Sequence, residues 1–431
     1  MSRSTTSRTL AAVATATLAG ATALLASPAA SASPGDTLWV DNHSAIKQHI
    51  ADLHLQGQDR ADALTLAGFA SANWFTGGTP KEVRNDVHNV AQRAADAGGI
   101  PALVAYNIPF RDCSQYSAGG ATSPAAYDAW IDGFAAGIGN DRAIVLLEPD
   151  GLGIIPFHTN LDGSQDWCQP AEANPATAES DRYAMLNHAV DVLKALPNTK
   201  VYLDAGNSAW LNVGENASRL LNAGVQKADG FFLNASNYQF TENSVAYGHW
   251  VSSCLAVVTH GLAGFNDCGN QYWNGGPANN WTGGAMTKYA RWSDAPGTPA
   301  DQSTAGVDSR YAMQLGDVKP TAQFVVDTSR NGIGPWDPST STYAGYPAGA
   351  DRQDWCNPPG RGLGTRPTLQ TGDPLVAGFL WIKVPGESDG SCTRGTAGPE
   401  DPERGMVDPA AGSWFTQQAH ELVVNAVPAL G

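Results

Sequence analysis

Seven short runs of apolar and β-branched residues recur along this chain, and helix-like segments separate most of them. Strands that alternate with helices in this way build a parallel sheet, because each helix returns the chain to the same end of the sheet. The sequence therefore predicts an α/β fold in which about seven parallel strands form a barrel. The predicted strands lie at 70–75, 101–109, 142–148, 199–204, 229–234, 322–327 and 377–384.

Three segments carry apolar residues at helical spacing, which predicts helices that pack against the outside of the barrel. They contain Ile46, Ile50 and Leu53; Leu186, Val190 and Leu193; and Phe415, Ala419, Leu422 and Ala426. Residues 154–181 and 238–318 interrupt the alternation, and we expect ordered, functional loops there. No linker-like composition divides the chain after its first residues, so we expect one domain.

The first residues are typical of an export signal. Arg3 and Arg8 precede an apolar stretch that runs to about residue 27, and Ala30-Ser31-Ala32 is a cleavage pattern. We therefore expect a signal peptide at 1–32, a mature domain at 33–431 and a secreted, extracellular protein. No later stretch reaches the roughly 18 uninterrupted apolar residues that cross a bilayer, so we expect no membrane partner.

Charge and cysteine content narrow the function further. Removing Arg3 and Arg8 takes the formal net charge from −16 to −18, which argues against nucleic acid or an anionic membrane as a partner. A neutral substrate fits better. The six cysteines are even in number and lie beyond the signal, so three disulfides are expected in an oxidising compartment.

An aspartate lies at or beyond the end of four of the predicted strands, where the chain enters Gly- and Pro-rich turns: Asp112, Asp150, Asp204 and Asp389. The carboxyl ends of parallel strands meet at one end of a barrel, and barrel enzymes keep their chemistry there. Neighbouring acids can hold Asp150 protonated near neutral pH, as a general acid requires. Lys383 can hold Asp389 ionised, ready to act as a base or to orient water.

Each of these acids also has a structural interpretation. Asp150 precedes a glycine and can simply form a turn. Asp112 can belong to a surface ion pair beside a structural cystine. Asp389 can belong to a solvated acidic loop. Asp204 and Asp327 are weaker candidates, because either can cap a helix or hold an arginine such as Arg330.

Aromatic residues also lie near the predicted strand ends. An indole face stacks on the C–H face of a sugar ring, whereas the sugar hydroxyls need acid, amide or amine partners. Any one of these aromatics can instead be a core residue, but a shared rim of aromatics and carboxylates suggests a sugar-binding groove. They are Trp74, Tyr106, Trp210, Trp355 and Trp381.

Other chemistries lack support in the sequence. The nine histidines are scattered, with no HExxH motif and no pair at ligand spacing, so we expect no metal. We find no Gly-rich phosphate loop, and we expect no cofactor. The GxSxG elbow of serine hydrolases is also missing.

Together these motifs resemble glycoside hydrolase family 6, the inverting cellulases that include endoglucanases and cellobiohydrolases. The match covers nearly the whole predicted mature chain, and its landmarks keep the family order. They are YNIPFRDC at 106–113, LLEPDG at 146–151, YLDAGNSAW at 202–210, FLNASNYQ at 232–239, DTSRNG at 327–332, DWCN at 354–357 and WIKVPGESDG at 381–390.

The resemblance implies roles for individual residues. Asp150 would be the general acid, and Asp112 would raise its pKa and steer the attacking water. Asp389 would be the candidate base, and Asp204 would support sugar binding and the charge network. Tyr106 would distort the sugar ring at the cleavage point. Further expected sugar contacts are Trp210, Asn234, Trp355, Lys383 and Glu387, and we add Trp74 from its position near the end of the first strand.

The resemblance also implies a fold and a disulfide pattern. The fold would be a distorted, incompletely closed α/β barrel of about seven parallel strands in a single catalytic domain. The implied cystines join Cys113 to Cys168 and Cys356 to Cys392, which leaves Cys254 and Cys268 for each other. The partner would be a β-1,4-glucan, and we expect a monomer.

This chain departs from the family pattern at two positions and in two loops. Asn207 stands where many members have histidine, and Val213 where a second tryptophan often follows Trp210. The short loop between Cys356 and Cys392 favours internal cleavage, whereas the expanded stretch between Asp204 and Asp389 points the other way. The alternatives are an exo-acting cellobiohydrolase, a hydrolase of another β-glucan and a non-catalytic secreted glycan-binding protein.

Overall fold

The structure is a computed structural model that describes Met1 and residues 36–430. Apart from Met1, the predicted signal peptide at 1–32 lies outside the described residues. Seven parallel strands form one sheet and pair in chain order from β1 to β7. They are β1 Asn73–Phe75, β2 Ala102–Ala105, β3 Ala143–Leu147, β4 Thr199–Asp204, β5 Gly230–Leu233, β6 Gln323–Asp327 and β7 Val376–Leu380.

The sheet curls so far that its two edges nearly meet. β1 and β7 share no ladder among the described residues. Two isolated hydrogen bonds join the edges instead, from the Ala72 N–H to the Trp381 carbonyl (2.9 Å) and from the Trp74 indole N–H to the Ile382 carbonyl (2.8 Å). The predicted incompletely closed barrel of seven parallel strands is therefore confirmed.

Helices surround the sheet in the order of the chain. They are α1 Ala45–Asp52, α2 Gly57–Leu66, α3 Pro80–Asp96, α4 Pro124–Ile138, α5 Ala178–Lys194, α6 Val213–Asn222, α7 Thr241–Thr259, α8 Ala305–Leu315 and α9 Thr416–Val424. Among the helices of the described residues, none is long and apolar enough to cross a bilayer. The stretch at 238–318 was expected to be a loop, but it contains α7 and α8.

Helix α3 shows how local sequence fixes an element. The Thr79 hydroxyl accepts a hydrogen bond from the Glu82 N–H, while the Glu82 carboxylate accepts one from the Thr79 N–H. Pro80 occupies the first turn, where its missing N–H costs nothing. The apolar face of the helix then packs against the core through Val83, Val87, Val90, Ala91 and Ala94.

Alternate strand residues enter two different layers, as the period of two in a β-strand requires. Leu103, Val145 and Phe231 belong to the layer that packs against the helices. Val104 and Leu146 belong to a separate cluster inside the barrel. Both faces of the sheet are therefore buried, which explains why the strands read as continuous apolar runs.

A third cluster covers the nearly closed edge of the barrel. It joins Ile46 of α1 and Leu66 of α2 to Trp381 and to Leu422 of α9. The four apolar residues predicted to pack in the C-terminal segment are all buried. Leu53 was expected on the buried face of α1, but it follows the helix and is exposed.

Three disulfides form among the described residues, and all six cysteines take part. They join Cys113 to Cys168, Cys254 to Cys268 and Cys356 to Cys392. The predicted pairing is confirmed.

Candidate active site

The carboxyl ends of the strands open into a cleft of about 600 Å³. Three of the four predicted acids, Asp112, Asp150 and Asp389, line this cleft, and Asp204 is buried behind it, close enough to affect the charge of Asp150. The sequence therefore predicted their convergence correctly. Other residues that line the cleft include Trp74, Tyr106, Gln115, Ser117, Trp167, Asn207, Trp210, Asn237, Tyr238, Lys288, Asp351, Asp354, Trp355 and Lys383.

The turn after β2 presents Asp112 on a strained backbone. Asp112, Cys113 and Ser114 all have positive φ angles, of 58°, 44° and 71°. Residues other than glycine adopt positive φ angles only at a cost in conformational energy, and such backbone strain is concentrated at functional sites. The Ser117 N–H donates to the Asp112 carboxylate (2.6 Å), and the Cys113 disulfide fixes the turn to the loop before α5.

Arg111 holds this turn in place through backbone contacts rather than forming the surface ion pair considered for Asp112. Its guanidinium donates to the carbonyl oxygens of Thr76 and Ser117, each at 2.9 Å, and to that of Tyr106. It also lies 4.5 Å from the centre of the Tyr106 ring. Tyr106, which lines the cleft, is therefore held in place.

The turn after β3 presents Asp150 in the same way. Glu148 and Asp150 have φ angles of 53° and 61°. The buried Glu148 carboxylate accepts hydrogen bonds from the N–H groups of Asn107 (2.9 Å) and Ile108 (3.0 Å), which ties this turn to the end of β2. From α5, the buried Arg182 guanidinium donates to the Gly151 carbonyl (2.6 Å).

Burial and neighbouring charges raise the pKa values of three of these acids. The pKa of Asp150 is well above its ordinary value, first because of burial and then because Asp204, Asp112 and Asp389 are close. Burial raises the pKa of Asp204 to about 7 and that of Asp112 to about 6. Asp150 is therefore protonated where an ordinary aspartate is ionised.

Asp389 has the opposite environment. Burial alone would raise the pKa of Asp389. However, the Arg330 guanidinium contacts both of its carboxylate oxygens at 2.9 Å. The Tyr238 hydroxyl and the Asn357 N–H also donate hydrogen bonds to the carboxylate, each at 3.0 Å. The Lys383 ammonium lies 3.9 Å away. The net pKa shift of Asp389 is downward, so this carboxylate stays ionised.

The predicted sugar contacts divide into two groups. Trp74, Tyr106, Trp210, Trp355 and Lys383 line the cleft, whereas Glu387 and Asn234 are not among the residues that line it. The Glu387 carboxylate instead lies 3.1 Å from the His49 imidazole. Asn234 is fully buried, and its amide donates to the Asp327 carbonyl (2.9 Å) and accepts from the Gln239 N–H (3.0 Å).

Sequence reasoning missed several residues that build the site. Arg330 was considered as a partner of Asp204 or Asp327, but it pairs with Asp389. Trp167 lines the cleft and immediately precedes Cys168, so the expected bond of Cys168 to Cys113 was a signal that could have placed it. Glu148 and Arg182 gave no such signal, because their partners are backbone groups.

One group of potential metal ligands occurs among the described residues: Cys392, Asp401 and Asp408. The Cys392 sulfur is already bonded to Cys356. The Asp401 carboxylate accepts two hydrogen bonds of 2.7 Å from Arg394. These groups are committed to the fold, so this cluster does not form a metal site.

Comparisons with known proteins identify the family of this chain. The family described as glycosyl hydrolases family 6 matches residues 33–426. Endoglucanase A of Thermobispora bispora is 32% identical over 364 residues, which are 84% of this chain and 56% of that protein. Endoglucanase 1 of Streptomyces halstedii is 36% identical over 355 residues, which are 80% of this chain and 81% of the relative.

A solved structure shows the same fold. The endoglucanase Cel6 of Mycobacterium tuberculosis, in complex with methyl-cellobiosyl-4-deoxy-4-thio-β-D-cellobioside, is 28% identical with a TM-score of 0.60. The alignment covers 91% of this chain and 97% of that one. This chain spans little more than half the length of the Thermobispora bispora relative. With the family match over nearly all of the described residues, the chain belongs to glycosyl hydrolase family 6.

Proposed function

We propose that this protein is an inverting β-1,4-glucanase that cleaves cellulose chains at internal bonds. The observation that carries the proposal is the opposite tuning of two acids at one cleft, because the pKa of Asp150 is raised and that of Asp389 is lowered. Titratable groups whose environments push their pKa values apart are typical of an acid and a base that act together.

In the proposed mechanism, Asp150 gives its proton to the glycosidic oxygen that leaves. A water molecule attacks the sugar from the opposite face, and Asp389 is the candidate base that takes up its proton. An inverting hydrolase needs roughly 6.5–9.5 Å between the two carboxyl groups so that this water fits. Burial keeps Asp150 protonated, and negative charge on Asp204 and Asp112 adds to this effect because it opposes the ionisation of Asp150.

The walls of the cleft are suited to a glucan strand. Trp74, Trp210 and Trp355 offer indole faces to the C–H faces of glucose rings, and Lys383 and Asn237 offer donors to the hydroxyls. Tyr106 stands edge-on to Trp74 with 5.4 Å between ring centres, so both rings are fixed before substrate arrives. We further infer that the enzyme acts outside the cell, because structural disulfides persist in oxidising compartments.

End-wise cleavage is the second candidate, and contacts between loops favour it. Tyr116 hydrogen-bonds to Gln353 (3.3 Å), and its ring centre lies 6.1 Å from that of Trp355. Lys288 forms an ion pair with Asp354. These contacts link three segments that border the cleft, and a cleft that is closed over admits a chain only from its end.

A time course on carboxymethyl cellulose distinguishes the two candidates. Because internal cuts shorten chains quickly, we expect viscosity to fall steeply while few reducing ends have formed. Viscosity and reducing ends are measured in the same samples. A steady release of reducing sugar with little loss of viscosity would favour end-wise cleavage, and no release from any β-glucan would contradict the proposed function.

The role of Asp112 predicts a change in pH dependence. The negative charge of Asp112 raises the pKa of Asp150, so Asp112→Asn should lower that pKa. The alkaline limb of the plot of kcat/KM against pH should then move to lower pH, because the general acid loses its proton earlier. Asp354→Asn is the matched control, since Asp354 lines the same cleft but pairs with Lys288. An unmoved alkaline limb in Asp112→Asn would contradict this role.

A further inference from the structure

Large aromatic side chains that are exposed in the described part of the chain are concentrated on one segment, residues 270–289. Four of the six lie there: Tyr272 (48% exposed), Trp273 (39%), Trp281 (46%) and Tyr289 (39%). The other two are Trp167, which lines the cleft, and Tyr343. A cluster of exposed aromatics on a soluble domain marks a binding surface more often than a single exposed residue does.

The backbone of this segment is held rigidly. The Asn274 amide donates to the carbonyl oxygens of Ala300 (2.7 Å) and Ser303 (3.0 Å) and accepts from the Gly284 N–H (3.0 Å). Gly306 packs so closely against Asn274 that a Cβ there would lie 1.8 Å from the Asn274 carbonyl oxygen. The exposed rings are therefore carried on an ordered support, which lowers the entropic cost of binding.

The two tryptophans form one unit on this support. The Trp273 and Trp281 rings are stacked with their centres 6.3 Å apart and their planes 19° apart. The Arg310 guanidinium lies 5.7 Å from the first ring centre and 5.9 Å from the second. Their partial exposure leaves ring surface open to solvent beside a cationic hydrogen-bond donor, which is the pairing that a sugar ring and its hydroxyls require.

The segment is continuous with the cleft at both of its ends. The Tyr272 hydroxyl donates to the Trp210 carbonyl (2.6 Å), and the Gln271 amide donates to the Leu211 carbonyl (2.9 Å). At the other end, Lys288 lines the cleft. Val213 stands where many family members have a second tryptophan, but here it is fully buried and offers no ring.

We propose that Tyr272, Trp273 and Trp281 form a second glucan-binding surface that holds a β-1,4-glucan strand where it leaves the cleft beyond Trp210. The strand is the occupant because the surface continues the cleft and its rings match the C–H faces of glucose. This inference rests on the proposed function for the identity of the ligand. Short oligosaccharides that fill the cleft alone do not reach the surface, whereas long chains do.

Binding is measured in an Asp150→Asn background, so that no substrate is consumed. We expect Trp273→Ala/Trp281→Ala to weaken binding to insoluble cellulose about tenfold, as the loss of two stacking rings implies, and to leave binding of cellotetraose unchanged. Trp39→Ala is the matched control. The Trp39 N–H donates to the Ile100 carbonyl, which places this residue near the amino end of β2, away from the carboxyl ends that form the cleft. Like the two tryptophans of the proposed surface, Trp39 has an arginine guanidinium near its ring, 5.7 Å from the ring centre.

Equal binding of cellulose by the double variant and its parent would overturn the proposal, as would an equal loss in Trp39→Ala. If the double variant does not fold, as judged by thermal melting, Trp281→Ala alone is tested, and a loss confined to long chains is again expected. The proposed function is tested separately by hydrolysis with intact Asp150. A failure to hydrolyse any glucan together with a selective loss of cellulose binding would refute the enzyme role and leave the binding surface standing.

Discussion

Replacing Asp150 by asparagine is expected to lower kcat on unactivated cellulose by about 10²–10⁴-fold, the usual contribution of a general acid. The pKa of Asp150 is raised by burial and by three neighbouring acids, so the wild-type side chain holds the proton that the leaving oxygen needs. Asparagine has nearly the same shape but no acidic proton. Initial rates on soluble and insoluble cellulose measure the loss.

Asparagine is a better test than alanine because of the backbone. Asp150 has a φ angle of 61°, a region that asparagine enters readily and alanine does not. Asp150→Ala would therefore add strain to the turn after β3. The Asn variant separates the loss of the proton from a loss of local structure.

A substrate with a good leaving group provides the control for this prediction. Fluoride and dinitrophenolate leave without protonation. Hydrolysis of a cellobiosyl fluoride or a dinitrophenyl glycoside should therefore fall far less in Asp150→Asn. Equal losses on cellulose and on the activated substrate would show that Asp150 is not the general acid. Unchanged thermal melting would confirm that the fold is intact.

The barrel could be predicted because burial on both faces of a parallel sheet leaves an uninterrupted apolar run at each strand. Every predicted strand overlaps an observed one, and the aspartates at or beyond the ends of β2, β3 and β4 converge as expected. Helix α7 was missed for the same physical reason. Trp250, Val251 and Leu255 are all buried, and so are Ser252 and Ser253, so the helix has no clear polar face to produce a helical pattern.

Polar contacts between distant segments could not be predicted. Arg330 and Asp389 are separated by 59 residues, and nothing in the local sequence of either one selects the other. Asn234 and Asn237 both follow β5, but Asn234 bonds the backbone while Asn237 reaches the cleft, and their local sequence does not distinguish them. Such choices depend on how the turns pack, and turn geometry is set by tertiary contacts.

The second large effect is expected at the ion pair between Arg330 and Asp389. Arg330→Met removes a buried guanidinium that contacts both carboxylate oxygens and leaves Asp389 without its main partner. Breaking a buried pair from one side typically costs about 3–5 kcal/mol, because the remaining charge is no longer compensated. The free energy of unfolding, measured with denaturant at neutral pH, should fall by that amount.

The same substitution should change the pH dependence of activity. Arg330 lowers the pKa of Asp389, so Arg330→Met should raise it, and the base would then be protonated at a higher pH. The acidic limb of the plot of kcat/KM against pH should therefore move to higher pH. The stability that comes from a lowered carboxylate pKa is present above the unfolded-state pKa and is lost as pH falls through the folded-state value. In Arg330→Met this acid-sensitive contribution should shrink.

Arg394→Met is the matched control, because Arg394 and Asp401 form an equally buried ion pair that does not include Asp389. Both variants should be less stable than the wild type. Only Arg330→Met should also move the acidic limb, since only this variant changes the charge environment of the candidate base. If the acidic limb stays in place in Arg330→Met, or moves equally in Arg394→Met, then Asp389 is not the group whose ionisation limits activity at low pH, and another carboxylate accepts the proton from water.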